Sequence, residues 1–213
     1  MKGVKFGNYH SFYEWGLILG SKEIGSPRPK VNQIEIEGGD GVLDLTEFSG
    51  EVKYENRSLS FKFSKTNIVP DGFLALYSLV QDLIHGKKMQ VILDDDPNHF
   101  YYGRVTINEW KSNKNIGEIV IDVDAEPYKY KLTETVVSKA VSGTATITLN
   151  NSRKRVVPII TTDAELTLSF GNYSGTFSKG TFTIPELELI EGANVVTVTG
   201  TGNISFSYRE GGL

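Results

Sequence analysis

Hydrophobic and polar residues alternate along much of this chain with the period of two that indicates half-buried β-strands. In the clearest example, Ile34 and Ile36 fall on one face of a predicted strand, and the glutamates between and after them fall on the other. A dense turn signal, Gly38-Gly39-Asp40-Gly41, follows and predicts a tight hairpin with glycines at positive φ. The predicted strands of the first 130 residues are 31–37, 59–64, 119–124 and the mostly apolar 89–93, which is expected to be more fully buried.

One segment departs from this period and predicts a single amphipathic helix that lies on a sheet. Asp71 is expected to cap its start and Gly86 to end it. Lys87 and Lys88 follow, where positive charge suits the helix dipole. The apolar stripe of this helix consists of Phe73, Leu76, Tyr77, Val80, Leu83 and Ile84.

The pattern changes after residue 130. Both tryptophans, Trp15 and Trp110, precede this point, and threonine becomes frequent beyond it. Short alternating segments separated by Gly/Asn turns indicate an antiparallel sandwich. We therefore expect two domains, residues 1–132 and 133–213. The predicted strands of the second domain are 144–149, 165–170, 176–177, 181–184, 194–199 and 203–208.

Composition is that of an ordinary globular protein. The 213 residues suffice for one large β domain or two small ones, and 39% are apolar and 23% charged. No run approaches the roughly 18 apolar residues of a membrane span, and the start lacks the apolar core of a signal peptide. Synthesis in a cytoplasm without export is therefore expected. The absence of cysteine excludes disulfides and thiolate metal sites.

Negative charge is concentrated in the first part of the chain. Residues 1–130 contain 15 Lys and Arg against 19 Asp and Glu, whereas residues 131–213 contain seven of each kind. This distribution does not resemble the basic stripe with which nucleic-acid binders neutralise phosphates. An acidic surface repels DNA instead, so specific nucleic-acid binding is not expected.

The candidate ligands and catalytic groups do not form a recognisable site. His10, His85 and His99 are far apart and lack the spacing of zinc or iron ligands, and His85 is expected simply to end the helix. Asp94-Asp95-Asp96 lacks the spaced ligands of a calcium loop and favours a strand-end turn of solvated charges, fixed by Pro97. Asp122 and Asp124 share one face of a strand, a common arrangement without catalytic meaning. We predict no catalytic, cofactor-binding or metal site, and no enzymatic activity.

A series of short motifs runs through the first 130 residues. They are Asn8-Tyr9-His10-Ser11, Trp15-Gly16-Leu17, Pro27-Arg28-Pro29-Lys30, Gly39-Asp40-Gly41-Val42-Leu43-Asp44, Tyr54-Glu55-Asn56-Arg57, His85-Gly86-Lys87, Leu93-Asp94-Asp95-Asp96-Pro97, Tyr102-Gly103-Arg104 and Pro127-Tyr128-Lys129. The order and spacing of these motifs resemble the distal tail protein (Dit) family of long-tailed phages. The resemblance fades in the last third of the chain.

The resemblance implies a mainly β protein with a defined place in a phage tail. Its first domain would be a β-barrel-like fold with one helix, similar to the tail-tube protein, that forms a six-membered ring around the DNA channel. Its second domain would be a galectin-like antiparallel sandwich. The expected partners are other copies of the chain, the tail-tube protein and the tail-tip hub, which often carries a lysin. The protein would be assembled in the host cytoplasm and reside at the tail tip of the virion.

Two other classes of function stay open at this point. The galectin-like domain could bind host cell-wall glycans, but lectins usually stack sugars on exposed aromatics and this domain has no tryptophan. Phe170, Phe177, Phe182 and Phe206 alternate as core residues do, which leaves Tyr173 and Tyr208 as candidate platforms. A small flavin enzyme on a split-barrel fold is the other alternative.

Overall fold

The structure, a computed structural model, describes residues 2–66, 70–113 and 115–213, and at Pro70 and Asp71 it describes the backbone only. The chain divides into two compact units, Met1–Lys129 with Leu213 and Tyr130–Gly212. The predicted fold class is confirmed, since the described residues form antiparallel strands and one α-helix.

The first unit is built on one curled antiparallel sheet with strand order β2-β1-β7-β8-β9-β6-β3, and a separate two-stranded hairpin, β4-β5. Its elements are β1 (Val4–Phe6), β2 (Tyr9–His10), β3 (Ile18–Ile24), β4 (Gln33–Glu35), β5 (Val42–Asp44), β6 (Arg57–Thr66), α1 (Pro70–Ile84), β7 (Lys88–Leu93), β8 (Asp96–Ser112) and β9 (Ile116–Lys131), the last of which continues into the second unit.

Alternation along β6 and β9 separates the two faces of this sheet. Phe61 lies opposite Ile121 in the register, and the odd-numbered residues of 57–63 in β6 and of 117–125 in β9 are buried. The even-numbered residues between them, such as Ser60 opposite Asp122, point to the other face and are exposed or half-buried. The sheet therefore has one apolar face, which forms the core with the helix, and one polar face.

The predicted helix is confirmed, and its apolar stripe faces the core. Phe73, Val80 and Ile84 are almost fully buried, whereas the other three residues of the stripe are half-buried against the same cluster. The helix begins at Pro70, so Asp71 lies inside the first turn and not at the cap where we expected it. The rigid φ of proline suits a first helical position, which explains this start.

The end of the helix also follows the prediction in part. The helix stops at Ile84, and Gly86 has a φ of 74°. The Lys87 ammonium donates to the carbonyl oxygens of Asp82 and Leu83, at 2.7 and 3.0 Å, and so stabilises the last turn. Lys88 does not contribute there, because it lies in β7 and donates to Glu126.

Strand β7 is less buried than its apolar composition predicts. Val91 is fully buried and Leu93 nearly so, whereas Gln90 is exposed and Ile92 half-buried. The prediction that this strand is more fully buried than its neighbours is wrong, because only one face of this sheet packs on the core.

The second unit contains another curled antiparallel sheet, and its core lies between the two halves of that sheet. Two predicted strands, 194–199 and 203–208, are in fact halves of one strand, β15, which pairs with β10 along 17 residues. The strands of this sheet are β10 (Thr135–Asn151), β11 (Ile159–Thr162), β12 (Leu166–Phe170), β13 (Tyr173–Phe177), β14 (Gly180–Thr183) and β15 (Gly192–Tyr208). The short strand β16 (Gly211–Gly212) pairs with β9 instead.

A pair of glycines marks the change of direction within these two long strands. Gly143 lies opposite Gly200 in the register, with φ values of 84° and 138° that other residues rarely adopt. Beside β15, β12 pairs with residues 197–200 and β11 with residues 204–207. Both layers of the expected sandwich therefore belong to one sheet, which shares β10 and β15 between its halves.

Serine and threonine residues cover the outer face of this sheet. Their hydroxyls lie within hydrogen-bond distance across neighbouring strands, as in Thr144–Thr199 at 3.2 Å and Thr167–Thr176 at 2.8 Å. This arrangement accounts for the frequency of threonine after residue 130, since threonine suits strands and offers a polar group to water.

The helix supplies a test of the core of the first unit. Ile84→Ala should lower the free energy of unfolding by about 2–5 kcal/mol, because it removes a fully buried side chain. Ser78→Ala, on the exposed face of the same helix, should change it little. Urea unfolding of dilute protein measures both values. Equal stability of the two variants would contradict this packing of α1.

Candidate functional site

The three histidines have separate structural roles. His10 is buried, its Nε2 lies 3.1 Å from both carboxylate oxygens of Asp94, and its Nδ1 accepts hydrogen bonds from two backbone amides. Nε2 therefore carries the proton. His85 Nδ1 accepts the amide of Ile107, and His99 Nδ1 lies 2.6 Å from Asp96. The His10 and His85 contacts join separate segments of the first unit, whereas the His99 contact lies within β8.

The turn at Asp94-Asp95-Asp96 exists, but its charges are not merely solvated as we expected. Asp94 also accepts the amide of Gly3, and Asp95 forms an ion pair with Lys22. Burial would raise the pKa of Asp96, but hydrogen bonds from His99 and Lys129 outweigh burial and lower it. The three carboxylates thus point to different partners. Pro97 lies in β8 and not in the turn.

Among the described residues, no group of three or more histidine or carboxylate side chains is arranged to hold a metal ion. Within the same residues, α1 is also too short to cross a bilayer, and no helix meets the length and apolarity that a span requires.

The polar face of the first sheet is acidic along β9. Glu118, Asp122, Asp124 and Glu126 occupy successive outward or half-buried positions of that strand, interrupted by one valine. The Ser60 hydroxyl donates to Asp122 at 2.6 Å. Other donors are Asn108 to Asp122 at 2.8 Å and Asn56 to Asp124 at 3.2 Å. Neutral donors satisfy Asp122 and Asp124 and leave their negative charge in place, whereas Glu126 is paired with the Lys88 ammonium at 2.8 Å.

A second distinctive surface is the hairpin formed by β4 and β5, which with its flanking residues 31–50 we call the arm. Ile34 lies opposite Leu43, so the two side chains share one face. The predicted alternation is present, and Gly38 and Gly41 have φ values of 76° and 77° in the predicted turn. The apolar face is nevertheless uncovered, since Ile34 is 48% and Leu43 46% exposed. The prediction that this strand is half-buried is therefore wrong within the chain.

The aromatic residues proposed as sugar platforms are not exposed. Tyr208 is 3% exposed, and its hydroxyl donates to the carbonyl oxygen of Asn150 at 2.6 Å. Tyr173 is half-buried against the core of the second unit. Of the four phenylalanines, Phe206 is fully buried and the other three pack against the same core, as predicted.

A groove of about 300 Å³ in the second unit is a further candidate for binding a small polar ligand. Its described lining contains no aromatic side chain. Both oxygens of Asp163 are already used, because they accept the amide and the side-chain nitrogen of Asn203 at 2.6 and 2.7 Å. These hydrogen bonds lower the pKa of Asp163 and keep it ionised.

Comparison with known proteins finds a similar fold, whereas the sequence comparisons find no match. No family model matches the chain, and no curated protein matches it. Among solved structures, the Dit protein of SPP1 is similar over 98% of this chain and 99% of that one, with a TM-score of 0.72 and 12% sequence identity. The chain has the fold of a distal tail protein. SPP1 Dit is described as a paradigm of the hub adsorption apparatus in phages that infect Gram-positive hosts.

The resemblance to the Dit family is thus confirmed in the fold, and one of its motifs has a clear structural role. Arg57 is buried and donates from Nε to the carbonyl oxygen of Gly25 at 2.8 Å and from Nη1 to that of Pro127 at 3.3 Å. Its guanidinium also lies 5.2 Å from the ring centre of Tyr101. The Pro29–Tyr54 bridge continues this pairing toward the tip. Arg57 therefore anchors the base of the arm.

Sequence reasoning missed another charged group, in the second unit. Glu210 is buried and accepts hydrogen bonds from Lys131, Thr135 and Ser152 at 2.6, 2.6 and 2.7 Å. Burial would raise its pKa, but these hydrogen bonds and the charge of Lys131 lower it. A lone glutamate in the sequence does not show that distant donors converge on it.

The lowered pKa of Glu210 predicts a pH dependence of stability. A carboxyl whose pKa is lower in the folded state stabilises the fold above its unfolded pKa of about 4.3 and loses that effect as pH falls. Glu210→Gln should therefore lower the melting temperature at pH 7, and the difference from the unaltered protein should shrink below about pH 4. The exposed Glu165→Gln is the control. A difference that stays constant from pH 7 to pH 3 would refute this role.

Proposed function

We propose that this protein is a structural distal tail component of a long-tailed phage or prophage. Six copies would form a ring that encloses the DNA channel and joins the tail tube to the tail-tip hub. The observation that supports this proposal is the likeness to SPP1 Dit over nearly the whole of both chains, at a TM-score of 0.72. The first unit would form the ring, and the second, galectin-like unit would be a packing or docking module.

The acidic face of β9 supports a position along the channel. DNA must slide through such a ring, so the lining must not hold phosphates. Glu118, Asp122 and Asp124 would repel the DNA backbone, and the neutral donors beside Asp122 and Asp124 would not neutralise their charge. We therefore assign the polar face of β6, β8 and β9 to the lumen.

A structural role also agrees with the chemistry of the described residues. The histidines are used in separate contacts, and the neutral donors that hold Asp122 and Asp124 include no imidazole that could activate the Ser60 hydroxyl. We therefore propose that the protein is not an enzyme. Residence at the tail tip and assembly in the host cytoplasm follow from the same proposal.

Binding of host cell-wall glycans is the alternative function, and the groove beside Asp163 is where it would occur. It is less well supported than the ring, because both tyrosine platforms are covered and the oxygens of Asp163 are occupied. Binding to a cell-wall glycan array, abolished by Asp163→Ala, would support this alternative.

Electron microscopy of concentrated protein and of purified tails tests the ring directly. Six-fold rings, or labelling of the tail tip by antibodies against the chain, are the expected result. A protein that remains monomeric at every concentration and is absent from tails would rule out the proposed function.

Charge reversal tests the lumen. Rings of the Asp122→Lys, Asp124→Lys double variant should retain DNA that unaltered rings release, with an affinity that falls as salt increases. The matched control reverses two exposed charges of the second unit, Glu165→Lys and Glu191→Lys. Equal retention by both double variants, measured by co-sedimentation with DNA, would contradict the assignment of this face.

A further inference from the structure

The chain contains two Asp-Gly pairs, Asp40-Gly41 and Asp71-Gly72. In such a pair the backbone nitrogen of the glycine can attack the side-chain carboxyl carbon of the aspartate, because glycine has no side chain to hinder the approach. The product of this attack is a five-membered succinimide ring. The two pairs lie in different elements of the fold, so local structure decides which of them reacts.

Asp40-Gly41 lies at the tip of the arm. The last residue pair of the hairpin is Glu35 with Val42, so Gly41 directly precedes the paired segment. All residues from 38 to 41 are exposed. Among the described residues, neither the Asp40 carboxylate nor the Gly41 amide has a hydrogen-bond partner. The two groups that would react are therefore not held by any other contact there.

The backbone at the tip leaves room for the ring. Gly41 has a φ of 77°, and a Cβ atom built on it would meet nothing within 4 Å. Asp40 lies in a bend outside the paired residues of β4 and β5. Rotation about its Cα–C bond therefore breaks no strand pairing, and the glycine nitrogen can reach the side-chain carboxyl carbon.

Asp71-Gly72 is in the opposite situation. Its backbone belongs to the first turn of α1, which begins at Pro70. Helical residues hold ψ near about −42°. The succinimide ring requires Cβ of the aspartate to eclipse the glycine nitrogen about the Cα–C bond, which moves ψ away from that value. The following residue, Phe73, is 2% exposed and fixes this turn on the core. Ring closure at Asp71 would therefore first require the helix to unwind.

We propose that Asp40 is a site of spontaneous isomerisation to isoaspartate and that α1 protects Asp71 from the same reaction. The Gly41 nitrogen forms a bond to Cγ of Asp40, and one water molecule leaves. Water then adds to one of the two ring carbonyls. Addition at Cγ restores aspartate, whereas addition at the main-chain carbonyl leaves the chain running through Cγ. The water that was lost is regained, so the reaction needs no oxidant, cofactor or enzyme.

The modification changes the backbone at the tip and not the net charge. Isoaspartate adds one carbon to the main chain, and the former main-chain carboxyl becomes the free carboxylate. The added carbon lies two residues before Val42, so it should disturb the turn and the pairing of Val42 with Glu35. The base of the arm, held by Arg57, is distant in sequence and should keep its contacts. This reaction requires no partner and does not depend on the proposed ring.

The two Asp-Gly pairs provide an internal comparison in one sample. The folded protein is incubated at neutral pH and digested with trypsin, which places the pairs in separate peptides, 31–53 and 66–87. Electron-transfer fragmentation then distinguishes isoaspartate from aspartate. Isoaspartate should accumulate at least about tenfold faster at Asp40 than at Asp71, since reaction in the helix requires a costly local opening. In concentrated urea the two rates should converge. Equal rates in the folded protein would refute the proposal.

A variant that keeps the charge identifies the reacting residue within peptide 31–53. Asp40→Glu should abolish the modification, because its longer side chain would have to close a six-membered ring. The exposed position should leave folding unchanged, which circular dichroism checks. Asp44 lies in the same peptide but is followed by the bulky Leu45. Isoaspartate that persists in the Asp40→Glu variant, or its absence at Asp40 in the unaltered protein, would overturn the assignment.

Discussion

On β6 and β9, odd- and even-numbered residues face opposite sides of the sheet, and the packing of the first unit depends on this alternation. The odd positions pack with α1 into one core, so the sheet cannot slip by one residue without exposing Phe61 and Ile121. The same register places Asp122 and its neighbours together on the other face. Core packing and the acidic surface are thus two results of one strand pairing, and a change in the first would disturb the second.

The parts of the fold that depend on local periodicity could be predicted from the sequence, and the parts that depend on distant partners could not. The stripe of α1 and the alternation of β6 follow from neighbouring residues and are confirmed. By contrast, the convergence of Lys131 and Ser152 on Glu210 depends on tertiary contacts. From its sequence alone, the region around Gly200 is predicted to be a turn. Only the pairing of Gly200 with Gly143 shows that β15 continues through it.

The arm shows a different limit of prediction. The alternation of apolar and polar residues correctly indicated which side chains share a face. It indicates that the apolar face prefers to be buried, but it does not identify the molecule that buries it. Within the chain Ile34 remains exposed. A disagreement between pattern and burial is therefore informative in itself, because it identifies surfaces whose partner is another molecule. In this protein the acidic side chains of the arm add the sign of charge that the partner should have.

The shared strands of the second unit have a consequence for how that unit comes apart. Since β10 and β15 run through both layers and bend at Gly143 and Gly200, neither layer has an edge at which it can separate from the other. Local opening of one half would expose the core of both. Amide hydrogens in the two layers should consequently exchange through one cooperative event, as in a single foldon. Such all-or-none behaviour limits the partly open states that proteases can attack.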